Sequence, residues 1–280
     1  MWNDQVRLPV PPLDTIAPAA ANFWTTTIFT VLSAIVFVYG LHHWRRSGRP
    51  IVLLMMAGGA LTSLAEPFLD VVCACWHPEI NQPTAFELIG RPIPWWVVAA
   101  YTFYFGALGS LSFAAFEKGA VKRAMWLWFA VPILVDIVME ELMLAADLYH
   151  YYGNQPLIAF FKFPLWFAAS NSIGEFVAVA LVVLMAPHLR GWKLALVPLS
   201  MPISDIIGFS ASALPTWVAI NTEGVPNLLV QLAGVLTFVI ATLMAYGLIA
   251  LLAQDSAVRY RPVTTAERDG AIGRAQPAAA

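Results

Sequence analysis

Seven long apolar runs leave this chain few folds to choose from. They cover residues 23–42, 51–74, 95–116, 124–146, 157–186, 193–213 and 227–253. A helix needs about 20 residues to cross the ~30 Å hydrocarbon core of a bilayer, because it rises about 1.5 Å per residue. The runs therefore predict an all-α, polytopic membrane bundle of seven transmembrane helices.

Two of the seven runs are less well defined than the others. The sixth is interrupted by Pro198, Pro202, Asp205 and Gly208. The fifth is longer than one crossing requires, and an interfacial start before Pro164 is the alternative to one continuous helix.

The basic residues predict how the bundle is oriented. Of the 15 lysines and arginines, all but Arg7, Arg91 and Lys162 fall in the loops after the first, third and fifth runs or in the C-terminal tail. Loops rich in lysine and arginine face the cytoplasm. We therefore expect the N-terminus outside and the C-terminus in the cytoplasm.

Composition supports a membrane location and a simple domain organisation. The mean hydropathy is +0.71 and only 11% of the residues are charged, against about 25% in soluble domains. We expect an extracytoplasmic segment at 1–22, a membrane domain at 23–253 and a disordered cytoplasmic tail at 254–280. A bacterial plasma membrane is the expected location. A net charge of −2 argues against a nucleic-acid partner.

Four of the predicted spans carry polar side chains at hydrocarbon depth. These are Glu66 and Asp70 in the second span, Asp136 and Glu140 in the fourth, Asn171 and Glu175 in the fifth, and Asp205 in the sixth. The paired residues are four apart, so each pair shares one helical face. An acid that faces lipid costs about 2.5 to 3.5 kcal/mol. We therefore expect these side chains to face the interior of the bundle.

Clustered buried acids indicate proton chemistry. Carboxylates that share a low-dielectric cavity cannot all be ionised, and a protonated buried acid is a candidate proton donor. Glu66, Asp136, Glu140 and Asp205 are the candidate catalytic acids. The structural alternative is that these acids pair with one another and only fix the packing of the helices.

A lipophilic substrate would need further contacts. Aromatic side chains are dense on the third, fourth and fifth spans, and their π-faces can stabilise a developing carbocation. The candidate substrate-binding residues are Asp70, Trp96, Tyr104, Asn171, Glu175 and Trp166.

The outer loops and the cysteines carry no strong metal signal. Solvated loops are the expected setting of His77, Glu79, Glu87 and His150. Cys73 and Cys75 are two residues apart, a poor spacing for a mutual disulfide. HExxH and CxxC motifs do not occur in the sequence. We therefore expect no metal ion and no other cofactor.

Three stretches of the sequence resemble known enzyme families. Glu66 in "LTSLAEPFLD" and Asp205 in "MPISDIIGF" are similar in position to two acids of the integral-membrane terpene cyclases of fungal meroterpenoid and indole-diterpene pathways and their bacterial relatives. The stretch "MEELMLAADLYHYYGNQPLIAFFKFPLWF" resembles membrane carotenoid hydratases and small lycopene cyclases. Both resemblances imply acid-initiated chemistry on isoprenoids.

The sequence thus leads to two main functional hypotheses. The first is a membrane enzyme, a terpene cyclase-like lyase or isomerase, that takes a lipophilic isoprenoid from the bilayer, protonates it and directs cyclisation or hydration. The second is a proton-coupled transporter that uses the same acids as a relay. A receptor-like protein is third, and the last span has no lysine for a retinal Schiff base.

Overall fold

Helices make up most of the part of the chain that the computed structural model describes, residues 9–255. They are α1 (Ala19–Ser47), α2 (Ile51–Thr62), α3 (Glu66–Val72), α4 (Trp95–Tyr101), α5 (Gly109–Phe116), α6 (Lys122–Ala145), α7 (Trp166–Met185), α8 (Leu196–Ile220) and α9 (Asn227–Leu252). The mostly helical fold agrees with the predicted class.

Three short antiparallel strand pairs, which were not predicted, join the helices at one end of the bundle. The pairs are β1 (Cys75–Trp76) with β4 (His150–Tyr151), β2 (Thr84–Leu88) with β3 (Arg91–Pro94), and β5 (Ile158–Ala159) with β6 (Phe163–Pro164). We call residues 73–94 and 147–165 the loop layer. The first pair fastens the connection after α3 to the connection after α6.

Six helical stretches among residues 9–255 are long and apolar enough to cross a membrane. They are Ala19–Ser47, Ile51–Val72, Trp95–Phe116, Trp166–His188, Gly191–Ile220 and Asn227–Leu252. Large apolar side chains such as Phe23, Ile35 and Leu243 are exposed on α1 and α9. Lipid accommodates such surfaces, whereas soluble proteins rarely expose them. The chain is therefore a multi-pass membrane protein.

Helix α6 coincides with the fourth predicted span but carries more charged residues than the six apolar stretches allow. Its charged residues are Lys122, Arg123, Asp136, Glu140 and Glu141, so length and composition do not place it among the six apolar stretches. It packs against α7 and α9. A seventh crossing stays a prediction.

The bounds predicted for the sixth span and for one continuous fifth helix were wrong, whereas the alternative of a separate segment before Pro164 agrees with the structure. The helix of the fifth span begins at Trp166 rather than 157, because residues 158–164 form β5, β6 and the turn between them. The helix of the sixth span continues to Ile220, with Pro202 and Pro215 inside it. Prolines are tolerated in membrane helices because neighbouring groups satisfy the freed carbonyls.

The second and third spans are each interrupted next to the loop layer. A 3-10 turn (Ser63–Ala65) separates α2 from α3, and a π-helical segment (Thr102–Leu108), which we call the π segment, joins α4 to α5. At Gly106 a Cβ atom would lie 2.8 Å from the Cα atom of Met56. Glycine therefore allows the π segment to pack directly on α2.

Buried side-chain amides hold the loop layer over the ends of the helices. The Gln82 amide donates to the Leu148 carbonyl at 2.5 Å, and its oxygen accepts from the Trp96 indole at 2.8 Å. The Gln155 amide donates to the Cys73 carbonyl at 2.7 Å. Because buried polar groups are costly without partners, these bonds fix the position of the layer.

The basic loops meet at the opposite end of the bundle. The Arg49 guanidinium donates to the Ala186 carbonyl, and His43 Nε2 lies 2.9 Å from Glu117 Oε1. The predicted assignment of this end to the cytoplasm stays a prediction. Except for Gln254 and Asp255, the predicted tail lies outside the described residues, as do the first eight residues of the N-terminal segment.

Candidate functional site

A cavity of about 480 Å³ lies between the helices, directly beneath the loop layer. Its polar lining residues are Glu66, His77, Tyr101, Asp136, Glu140, Tyr149, Tyr151 and Asn171, and its other aromatic lining residues are Trp96, Tyr104, Phe105 and Phe167. Acids, phenols and apolar rings thus line one cavity.

Glu66 reaches the cavity from the first position of α3. The 3-10 turn that precedes it and the proline that follows it change the course of the helix there. The Tyr101 hydroxyl donates to Glu66 Oε2, and Glu66 Oε1 lies 3.9 Å from His77 Nε2. The Glu66 side chain is 12% exposed. One carboxyl oxygen is therefore held by a phenol while the other lies near an imidazole.

Asp136 pairs with Asn171 across the interface between α6 and α7. The Asn171 amide nitrogen lies 3.3 Å from Asp136 Oδ1 and 3.2 Å from Oδ2 and donates to both. Asp136 is only 2% exposed. Since a buried acid needs hydrogen-bond partners to offset its lost hydration, this amide fixes the carboxyl at the cavity wall.

Glu140 lies one turn beyond Asp136 and receives two phenols from the loop layer. The hydroxyl of Tyr149 donates to Glu140 Oε2, and that of Tyr151 donates to the same oxygen at 3.3 Å. The neighbouring Glu141 accepts instead from the backbone N–H of Phe161 at 2.7 Å. Glu140 is therefore the acid of this pair that belongs to the cavity.

The expectation that His77 lies in a solvated loop was wrong, because the histidine is 2% exposed and lines the cavity. Its ring lies 5.5 Å from the rings of both Trp96 and Tyr149. Its Nδ1 lies 3.1 Å from Asp70 Oδ2. Burial alone lowers the pKa of His77, but the charge and hydrogen bond of Asp70 and the charge of Glu66 raise that pKa above its ordinary value.

The other predicted loop residues behave differently from His77. Glu79 and Glu87 are exposed, as expected, and His150 is half-buried in β4. The strand pairing explains the difference, because β1 places the segment just before His77 against β4, under the rest of the layer.

The structure brings six of the predicted site residues together. Glu66, Asp136, Glu140, Trp96, Tyr104 and Asn171 line the cavity. Tyr104 donates its hydroxyl to the Pro132 carbonyl at 3.3 Å and lies 3.0 Å from the Ser172 hydroxyl. Their roles in catalysis and substrate binding stay predictions.

Four predicted site residues, Asp70, Trp166, Glu175 and Asp205, are not among the described residues that line the cavity. Asp70 lies behind His77, and the Trp166 indole donates to Gln155 at 3.3 Å. Helical spacing gives the depth of a residue but not the rotation of its helix against its neighbours, which explains these four placements.

Glu175 and Asp205 lie elsewhere in the bundle and are fully buried. Glu175 Oε1 accepts from the Ser112 hydroxyl at 3.2 Å, and Oε2 has no partner among the described residues. Neither carboxyl oxygen of Asp205 has one. Asp205 instead packs against Gly174, where a Cβ atom would lie 3.1 Å from the Asp205 Cα atom.

Among the cavity residues that were missed at the level of the sequence are one histidine and three tyrosines: His77, Tyr101, Tyr149 and Tyr151. For the last two the signal was present, since residues two apart in an extended segment share one face. In "DLYHYYG" this spacing, next to an acid-bearing helix, could have indicated the paired phenols.

Three potential metal ligands lie at the edge of the cavity, although no metal site was expected. One ligand atom from each of Asp70, Cys75 and His77 lies within 4.8 Å of the others. All three side chains are buried. Unlike the carboxyl and phenol groups of the cavity, this cluster combines a carboxylate, a thiol and an imidazole.

Comparison of the chain with protein-family models, with curated proteins and with solved structures finds no match. The function is therefore inferred from the residues and geometry of the site.

Proposed function

We propose that this protein is a membrane enzyme that protonates a lipophilic isoprenoid in the cavity and directs its cyclisation or hydration. The observation that carries the proposal is that Glu66, Asp136 and Glu140 line one cavity together with aromatic side chains. Glu66 and Glu140 each accept a hydrogen bond from a tyrosine hydroxyl. Positioned acids of this kind accelerate proton transfer by about 10²- to 10⁴-fold.

Glu66 is the general acid in this proposal. Tyr101 holds one of its oxygens, which leaves the other free to carry a proton toward the substrate. Glu66 is more accessible than Asp136, at 9% against 2% exposure. Asp136 or Glu140 then accepts the proton that is lost when the cationic intermediate collapses.

The aromatic wall supplies the second requirement of the chemistry. A carbocation is stabilised when π-faces lie against its charge. Trp96, Phe105 and Phe167 line the cavity together with the acids. In this proposal the protein is a seven-helix bundle in a bacterial plasma membrane, with the loop layer on the outer side. The substrate enters the cavity between the helices from the lipid phase.

Reconstitution of the purified protein with prenylated substrates tests the proposal. Cyclised or hydrated product should form with the natural sequence and should disappear with Glu66→Gln and with Glu140→Gln. Glu79→Gln is the matched control, because Glu79 is an exposed acid of the loop layer. Product that persists in both cavity variants would remove the acid mechanism.

A proton-coupled transporter is the alternative function. The burial of Glu175 and Asp205 is the observation that favours it. Both are buried acids outside the cavity, and Glu175 lies one turn beyond Asn171 on α7. A chain of acids along the bundle is typical of proton pathways. This alternative predicts proton flux in sealed liposomes that Glu175→Gln abolishes, with no covalent change in the transported molecule.

A further inference from the structure

Asp70, Cys75 and His77 form a compact ligand set where α3 meets the loop layer. Their side chains are 1%, 4% and 2% exposed, and one ligand atom of each lies within 4.8 Å of the other two. Carboxylate oxygen, thiolate sulfur and imidazole nitrogen are the three kinds of ligand that hold Zn²⁺ in proteins. The combination fits zinc better than magnesium or calcium, which prefer oxygen ligands alone.

The distance between the Asp70 and His77 ligand atoms suits a tetrahedral ion. His77 Nδ1 lies 3.1 Å from Asp70 Oδ2, a distance that a hydrogen bond explains. Two ligands with bonds of about 2.0 to 2.1 Å to tetrahedral zinc are separated by roughly 3.3 Å. An ion could therefore replace this hydrogen bond with only a small movement of either side chain.

The second carboxyl oxygen of Asp70 gives an independent indication. Asp70 Oδ1 is buried and has no hydrogen-bond partner among the described residues. An acceptor left in this state costs about 1 to 3 kcal/mol, and more when it is charged. A cation bound beside it would remove that cost.

From these observations, we propose that Asp70, Cys75 and His77 bind one zinc ion whose fourth coordination position faces the cavity. Three protein ligands and one open position are typical of catalytic rather than structural zinc. Cys75 and His77 both line the cavity, whereas Glu66 Oε1 lies 3.9 Å from His77 Nε2, the ring nitrogen that does not bind the ion in this arrangement. The site goes beyond the proposed acid chemistry and does not depend on it.

The two cysteines have separate roles in this proposal. Cys73 is not part of the ligand set, and its sulfur accepts from the Trp217 indole at 3.1 Å. Cys75 binds as the thiolate, and its proton passes to solvent when the metal binds. Cys73→Ser is therefore a matched control for Cys75→Ser, since both change a buried sulfur to oxygen.

Metal analysis of the full-length protein purified in detergent tests the site. From cells grown with zinc, we expect roughly one zinc per chain in the natural protein and in Cys73→Ser. We expect at least about a tenfold loss in Asp70→Asn, Cys75→Ser and His77→Gln. Protein from cells grown with cobalt should show thiolate-to-cobalt absorption in the near ultraviolet.

The cobalt spectrum keeps the test decisive even if a variant does not fold, because it is measured on the natural protein. Less than about a tenth of an equivalent of either metal, or bound cobalt without thiolate absorption, overturns the proposal. Loss of the absorption in Cys73→Ser but not in Cys75→Ser does so as well. Because no product is measured, failure of the acid mechanism leaves this result unaffected.

Discussion

The acids inside the bundle fall into two groups that differ in their partners. Glu66, Asp136 and Glu140 line the cavity, and each accepts a hydrogen bond from a tyrosine or asparagine side chain. Glu175 has only the Ser112 hydroxyl, and Asp205 has no partner among the described residues. The first group surrounds open space, whereas the second is packed between helices.

This difference shows that burial alone does not identify a functional acid. Glu66, Asp136, Glu175 and Asp205 are all buried, at 9% exposure or less, and Glu140 is partly buried. What separates them is a positioned donor together with a space that a substrate can occupy. Substitutions of the same kind in both groups therefore test whether the two groups differ in function.

The largest effect is expected for the cavity acids. Glu66→Gln removes the proposed proton donor and should lower product formation by about 10²- to 10⁴-fold, measured with reconstituted protein and a prenylated substrate. Glu79→Gln should leave the rate unchanged. The comparison fails if Glu175→Gln and Asp205→Asn abolish activity while Glu66→Gln does not.

A smaller effect, on stability, is expected at the packed acids. Gly174→Ala would place a Cβ atom 3.1 Å from the Asp205 Cα atom, and such overpacking costs about 1 to 3 kcal/mol. The melting temperature in detergent should fall. Gly247→Ala is the control, because its Cβ atom would meet no atom within 4 Å. Equal melting temperatures for the two variants would contradict the tight packing.

An effect of similar size, but on the reaction rate, is expected for the phenol that positions Glu66. Tyr101→Phe removes one hydrogen bond to the carboxyl, a loss of about 1.4 kcal/mol or roughly tenfold in rate. The readout is kcat with KM unchanged, because the phenol orients the acid rather than the substrate. Tyr246→Phe, at an exposed position of α9, should have no effect. A change in KM alone would assign Tyr101 to substrate binding instead.

The smallest effect is expected for Asp205→Asn. The asparagine side chain has nearly the size of the aspartate side chain, and no hydrogen bond among the described residues is lost. The free energy of unfolding, followed by the melting temperature in detergent, should therefore change by less than about 1 kcal/mol. Product formation should be retained. A loss comparable to that of Glu66→Gln would place Asp205 in the catalytic group, where the resemblance to membrane terpene cyclases puts it.

The apolar runs were sufficient to predict most of the helices. Runs of about 20 apolar residues must satisfy their backbone groups within one helix, and the helical stretches Ile51–Val72, Trp95–Phe116 and Asn227–Leu252 fall within two residues of their predicted ends. The short strands were not predictable, because two-residue pairs such as β1 with β4 depend on contacts between residues 75 and 151.

The candidate site was predictable only in part for the same reason. Depth along a helix placed Glu66, Asp136 and Glu140 at a common level, and the structure puts all three at one cavity. It could not show that Asp205 is not among the residues that line that cavity. Nor could it show that a histidine from a polar loop is buried between two aromatic rings.

The most direct test of the acid mechanism is the mass of the product formed in heavy water. If Glu66 delivers a solvent-exchangeable proton to an alkene carbon, the product should carry one non-exchangeable deuterium on carbon, and Glu66→Gln should form no labelled product. Product that forms at the same rate without deuterium on carbon would contradict the account.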